Sequence, residues 1–148
     1  MEIDQSGHIE MTRDNTALAL ANGKRYCILV PPRTARNCLL ALRHKQIRPP
    51  KLQVRLFSAT LACLLEEQIN ERIFVTIDRE YAGLDQDIQR QLLRLLHRQG
   101  IPIRHEQITF GHVGKKSPAH DLALAAYRGE VKPDRIITTI ELLEKLQA

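Results

Sequence analysis

Two short apolar runs in this chain end in aspartate. Ile3-Asp4 opens a small polar turn (IDQSG), and IFVTID closes on Asp78, with Glu80 two residues further on. Strand interiors disfavour aspartate, and a single one at a strand end commonly caps a turn. Two of them, each closing an apolar run, point to a shared purpose. On adjacent parallel strands they would lie within a few ångströms and repel, unless a cation sat between them. Glu80 shares a face with Asp78 if the strand continues. His120 offers a third ligand, with Asp121 beside it as a substitute. An oxygen-rich set with one imidazole suits Mg²⁺ or Mn²⁺ better than Zn²⁺.

His120 lies in a second stretch with chemical content, GHVGKKSPAHDLALAAYRG at 111–129. A basic, glycine-rich turn runs into a helix opened by Pro118. A nucleotide-binding P-loop needs GxxxxGK[ST]. Here Gly111 stands only three residues before Gly114, and Lys116 precedes Ser117, so the loop is too short to wrap a β-phosphate. A helix start beside Lys115 and Lys116 is still an anion site of a simpler kind. Both lysines are expected to face phosphate, and His112 to move protons near neutral pH.

Charge supports a phosphate partner. The net charge is +5, and residues 15–65 contain nine lysines and arginines but no Asp or Glu, where about six acids would be average. Arg33, Arg36 and Arg43 head the expected nucleic-acid face. With no Trp and only six Phe or Tyr, platforms for stacking loose single strands are scarce. The backbone of a duplex or a structured nucleic acid fits better.

The elements that must position these groups follow from hydropathy. Short apolar or alternating runs at Ile3, Ile9 to Met11, Ala17 to Ala21 and Tyr26 to Val30 predict strands, and Asn22-Gly23 signals a hairpin. Thr34 to Gln46 is helical, and Pro49-Pro50 breaks it. Leu52 to Ile69 is a helix at least in its second half. Arg72 to Asp78 has the β-branched pattern of a central strand. Leu84 to Gln99 is a strongly amphipathic helix, stopped by Gly100 and Pro102. A strand at Ile101 to Phe110, a helix to about Arg128 and a last helix at Ile136 to Leu146 complete the chain. An early meander followed by βαβ units predicts an α/β fold with a mixed sheet. No apolar run approaches the ~18 residues of a membrane span. Nothing near Met1 reads as a signal peptide, and Cys27, Cys38 and Cys63 are scattered without a CxxC. A cytoplasmic protein with reduced thiols is expected.

Taken together, IDQSG, IFVTIDREYAG at 73–83 and the 111–129 stretch resemble the ribonuclease H-like superfamily over nearly the whole chain. The resemblance implies a single domain, 1–148, with a five-stranded mixed sheet and helices on both faces. In ribonuclease H an Asp lies on the first strand and another ends the fourth. A loop with histidine and glycine then leads into a helix bearing the last metal ligand, just before a Leu-Ala pair. These features fall on Asp4, Asp78, His112 and the helix at Ala119 to Ala123. With Leu122-Ala123 as the pair, the last ligand is His120, as in the histidine-bearing Piwi domains of Argonaute proteins. The implied activity is a two-metal nuclease using Mg²⁺ or Mn²⁺ on DNA, RNA or a hybrid. Ribonuclease H also carries a Glu in the helix before the fourth strand, but this chain has no acid between Asp14 and Glu66. Either Glu80 takes that role, or the chain is an inactive nucleic-acid-binding domain on the same fold.

Overall fold

The computed structural model describes residues 1–147. In chain order they form strands β1 (Glu2–Ser6), β2 (Thr16–Ala21) and β3 (Tyr26–Val30), then helices α1 (Pro32–His44) and α2 (Lys51–Leu65). Strand β4 (Val75–Asp78), helix α3 (Asp85–Arg98) and strand β5 (Ile108–Gly111) follow. Helix α4 (Pro118–Tyr127), strand β6 (Arg135–Ile136) and helix α5 (Thr139–Gln147) close the chain. The strands make one mixed sheet in the order β5-β4-β1-β2-β3-β6. The β1–β2 and β2–β3 pairs are antiparallel, while β1–β4, β4–β5 and β3–β6 are parallel.

The α/β class and the mixed sheet therefore hold, but the sheet has six strands where five were expected. The extra one is β6, two residues long, which takes Ile136, the residue read as the start of the last helix. Asp134 explains it. Its carboxylate accepts from the Cys27 N–H at 2.8 Å while its own N–H donates to the Cys27 carbonyl. That clamp lays the chain along β3, and the helix starts only at Thr139. Ile9 and Met11 form no strand. Ile9 is fully buried as an apolar plug in the β1–β2 loop, whereas Met11 is exposed. Most of the predicted strand Ile101 to Phe110 is irregular, with a 3₁₀ turn at His105–Gln107 before β5. The Leu52 to Ile69 segment, read as a helix at least in its second half, is helical from Lys51 to Leu65, and its residues from Leu56 to Leu65 are all buried.

Strand alternation separates two apolar clusters. Leu18, Leu20, Ile28 and Val30 join the large cluster built with α1, α2, α3 and α5. Ala17, Ala19 and Cys27 point the other way and meet Leu122, Ala123 and Ala126 of α4. Small side chains on both surfaces let α4 lie close on the sheet. Its start is pinned as well. Ser117 caps it by accepting from the Ala119 N–H at 3.1 Å, and the same hydroxyl donates to Glu2 Oε1 on β1 at 2.8 Å. At the far end of β1 the turn needs Gly7: its φ is +77°, and a Cβ there would lie 2.7 Å from the Asn15 carbonyl oxygen.

Ala19→Leu should therefore push α4 off the sheet and cost about 1–3 kcal/mol, the usual range for overpacking a filled site. Ser117→Ala should cost about 1 kcal/mol through the lost cap. Urea unfolding measures both, and unchanged midpoints would contradict the close packing described.

Candidate metal centre

β1 and β4 are adjacent and parallel, with Ile3 opposite Ile77. Asp4 and Asp78 are the next residues along, so the register sets their carboxylates side by side. Both point to the side of the sheet that bears α4, because Asp4 is the partner of Ala19. Glu80 follows in the turn after β4. Carboxylate oxygens of Asp4, Asp78 and Glu80 all lie within 4.8 Å of one another. The cleft they line measures about 260 Å³ and also includes Gln5, His112, Gly114, Lys115 and His120.

Each acid is held by its surroundings. Asp4 is buried, at 6% exposure. Its Oδ1 accepts from the Gln5 N–H at 2.8 Å and its Oδ2 from His120 Nδ1 at 2.9 Å. Nδ1 of His120 is thus engaged by Asp4, and Nε2 is the ring nitrogen left for another partner. Asp78 Oδ1 accepts from the Val113 N–H at 2.9 Å, which ties the 112–117 loop to the acid pair. That loop turns at Gly114, whose φ of +81° suits glycine. Glu80 is flanked by His8 at 3.9 Å. His8 in turn lies 4.0 Å from Glu10, and Glu10 Oε2 accepts from the Tyr81 hydroxyl at 2.6 Å.

Burial raises the pKa of Asp4; hydrogen bonds from His120 and Gln5 oppose this, and the Asp78 charge adds to it. Glu80 is pushed up to about 8, first by burial and then by the charges of Asp78 and Asp4. Three carboxylates held this close resist full ionisation unless a cation compensates. The donor set is all oxygen, which fits a hard divalent cation such as Mg²⁺ or Mn²⁺.

The structure thus brings together Asp4, Asp78, Glu80, His112, Lys115 and His120 of the residues singled out in the sequence. His120 reaches the cluster through Asp4, and Glu80 completes the close triad. Asp121 is exposed one position further along α4 and Lys116 is exposed in the loop; neither lines the cleft. Arg33, Arg36 and Arg43 lie exposed on α1, with Arg36 Nη1 donating to the Thr12 carbonyl at 3.1 Å. His8, Glu10 and Tyr81 were not recognised as a group. They come from two loops, and nothing in their spacing signals that they meet.

Comparison with family models, with curated proteins and with solved structures gives no match for this chain. The reading of the site rests on its own geometry.

The raised Glu80 fixes a pH dependence. An acid with a higher pKa folded than unfolded binds more protons in the folded state across the interval, so its contribution to stability falls as pH rises. Here the interval runs from the ordinary glutamate range to about 8. In chelator, the Tm of Glu80→Gln should gain on that of the wild type between pH 5 and pH 8. A constant difference across that range would show that Glu80 does not titrate as described.

Proposed function

We propose that this chain is a nuclease that hydrolyses phosphodiester bonds in DNA or RNA with Mg²⁺ or Mn²⁺, on a ribonuclease H-like sheet with helices on both faces. The observation that carries the reading is the triad of Asp4 in the middle of β1, Asp78 at the end of the parallel strand β4 and Glu80 in the turn after it. Divalent ions in such a site polarise a phosphoryl oxygen and lower the pKa of water. The chain's own groups supply the rest. Two hydrogen bonds hold Asp4 in place, and the Val113 N–H holds Asp78. Lys115 lines the same cleft and offsets the charge of a phosphate as negative charge grows in the transition state. Nε2 of His120 is placed to orient or accept a proton, and His112 stands at the rim in the same role. A cytoplasmic setting agrees with the three free cysteines, two of which, Cys38 and Cys63, burial raises to about 11 and about 12 and so keeps as thiols.

One observation favours the inactive alternative. Glu66, the first acid after Asp14, does not join the cluster. It is held by Arg135 at 3.0 Å and Lys145 at 2.7 Å. Burial alone would raise its pKa, but Lys145, Gln99 and Arg135 outweigh this and lower it. The acid set of the site is therefore a triad, with Glu80 as its third member.

A labelled panel of DNA, RNA and hybrid duplexes incubated with Mg²⁺ or Mn²⁺ decides between the two. The wild type should cleave at least one of them, and EDTA or Asp78→Asn should abolish cleavage. Calorimetric titration with Mn²⁺ should show binding that Asp78→Asn loses. Mn²⁺ binding without cleavage of any substrate would favour the inactive domain, and no Mn²⁺ binding would remove the metal centre. His120→Ala should lower cleavage about 10–100-fold, as loss of a group that orients a ligand usually does, and leave nucleic-acid affinity nearly unchanged.

A further inference from the structure

The α2–α3 side carries a charged surface that the metal centre does not use. α2 and α3 pack together, with Ser58 Oγ donating to the Ile88 carbonyl at 3.3 Å. Between them lies a cleft of about 290 Å³, with Lys51, Arg55, Arg90 and Arg94 on its walls and Val54 on its floor. Its one acid, Asp87, makes an exposed contact with Arg90 at 3.2 Å, a pair weak enough in water for a phosphate to replace. Arg90 and Arg94 also wall a second cleft of about 510 Å³ on the other side of α3, where His97 and His105 replace the lysine and no acid takes part. The two clefts share Arg90 and Arg94 on the ridge between them, and together they make one grooved basic surface. Lys51, Arg90 and Arg94 are exposed, whereas Arg55 is half-buried and donates to the Leu146 carbonyl at 2.7 Å.

We propose that this groove binds the sugar-phosphate backbone of a nucleic acid. Arg90 and Arg94 are one helical turn apart, about 6 Å along the axis, with Lys51 across the cleft. Such a row of cations suits a periodic polyanion rather than a single ion. The apolar floor at Val54 and Leu93 accommodates sugars, which single anions lack. α2 and α3 pack on the cluster of Leu18 and Leu20, whereas Asp4 faces α4. Binding in the groove is therefore separate from binding at the acids and needs no divalent cation. The proposal rests on the reading that the chain handles nucleic acid, but not on cleavage.

Fluorescence anisotropy of labelled DNA and RNA duplexes in EDTA, over a series of salt concentrations, tests it. The wild type should bind with a steep salt dependence. Lys51→Ala, Arg90→Ala and Arg94→Ala together should weaken binding at least tenfold at low salt. They should also lower the slope of log affinity against log salt by about 2–3, near 0.9 for each phosphate no longer neutralised. Circular dichroism and Tm of the triple variant must match the wild type; if they do not, Lys51→Glu with Arg90→Glu, both at exposed positions, replaces it with the same expectation. A wild-type slope in the variant, no duplex binding at low salt, or binding to phosphatidylserine vesicles in place of duplex would each overturn the proposal. Asp78→Asn should keep the wild-type slope, so loss of cleavage and loss of groove binding are read separately.

Discussion

One repulsion organises the molecule. The fold holds three carboxylates within 4.8 Å of one another. At that separation two unit charges oppose each other by about 3 kcal/mol at an effective dielectric of about 20. A chain does not drift into such an arrangement; something must impose it. The β1–β4 register does so, because Ile3 and Ile77 are paired and buried. Slipping either strand by one residue would turn these isoleucines out of the core and the aspartates into it. Burial of the two isoleucines, about 1.5–3 kcal/mol each, opposes the slip and so keeps the aspartates side by side.

The second constraint is α4, which links the acids to the 112–117 loop. It lies on alanines rather than on large residues, so its backbone comes close to the sheet. From there His120 reaches Asp4 at 2.9 Å. Ser117 joins the start of the helix to β1 through Glu2, and Asp78 joins the preceding loop to β4 through the Val113 N–H. The loop between these anchors brings Lys115 into the cleft. A shift of α4 would thus move the imidazole and the lysine together, while the carboxylates stayed where the strands put them.

Much of this was legible in the sequence because it depends on local patterns. Apolar runs leading to Asp4 and Asp78 give two strands that carry the acids, although β1 continues past Asp4 to Ser6, and Pro118 gives a helix start. The sixth strand was not legible, since it depends on a clamp between Asp134 and Cys27 across 107 positions. The order within the acid set was also hidden. Periodicity shows that Glu80 and Asp78 share a face only if the strand continues, and β4 in fact ends at Asp78. The turn that follows, rather than the pleat, brings Glu80 back to the pair. The basic groove was invisible for the same reason. Lys51 belongs to the acid-free stretch, but Arg90 and Arg94 lie on a helix whose charges looked ordinary, and only the packing of α2 on α3 joins them.

On the proposed reading, the charge layout also calls for a cation before a polyanion enters the acid cleft. The chain as a whole is basic, at +5, and a net positive charge favours approach of phosphate. The acid cleft is the exception. A phosphate entering it meets three carboxylates and one nearby lysine, so the bare cleft repels the group that the rest of the surface attracts. Protonating Glu80, which burial favours, removes one charge but leaves two. A divalent ion reverses the sign locally and satisfies the carboxylate oxygens in the same step. On the proposed reading, binding of nucleic acid by the basic surfaces and its entry into the cleft are therefore separate events, and only the second would depend on metal.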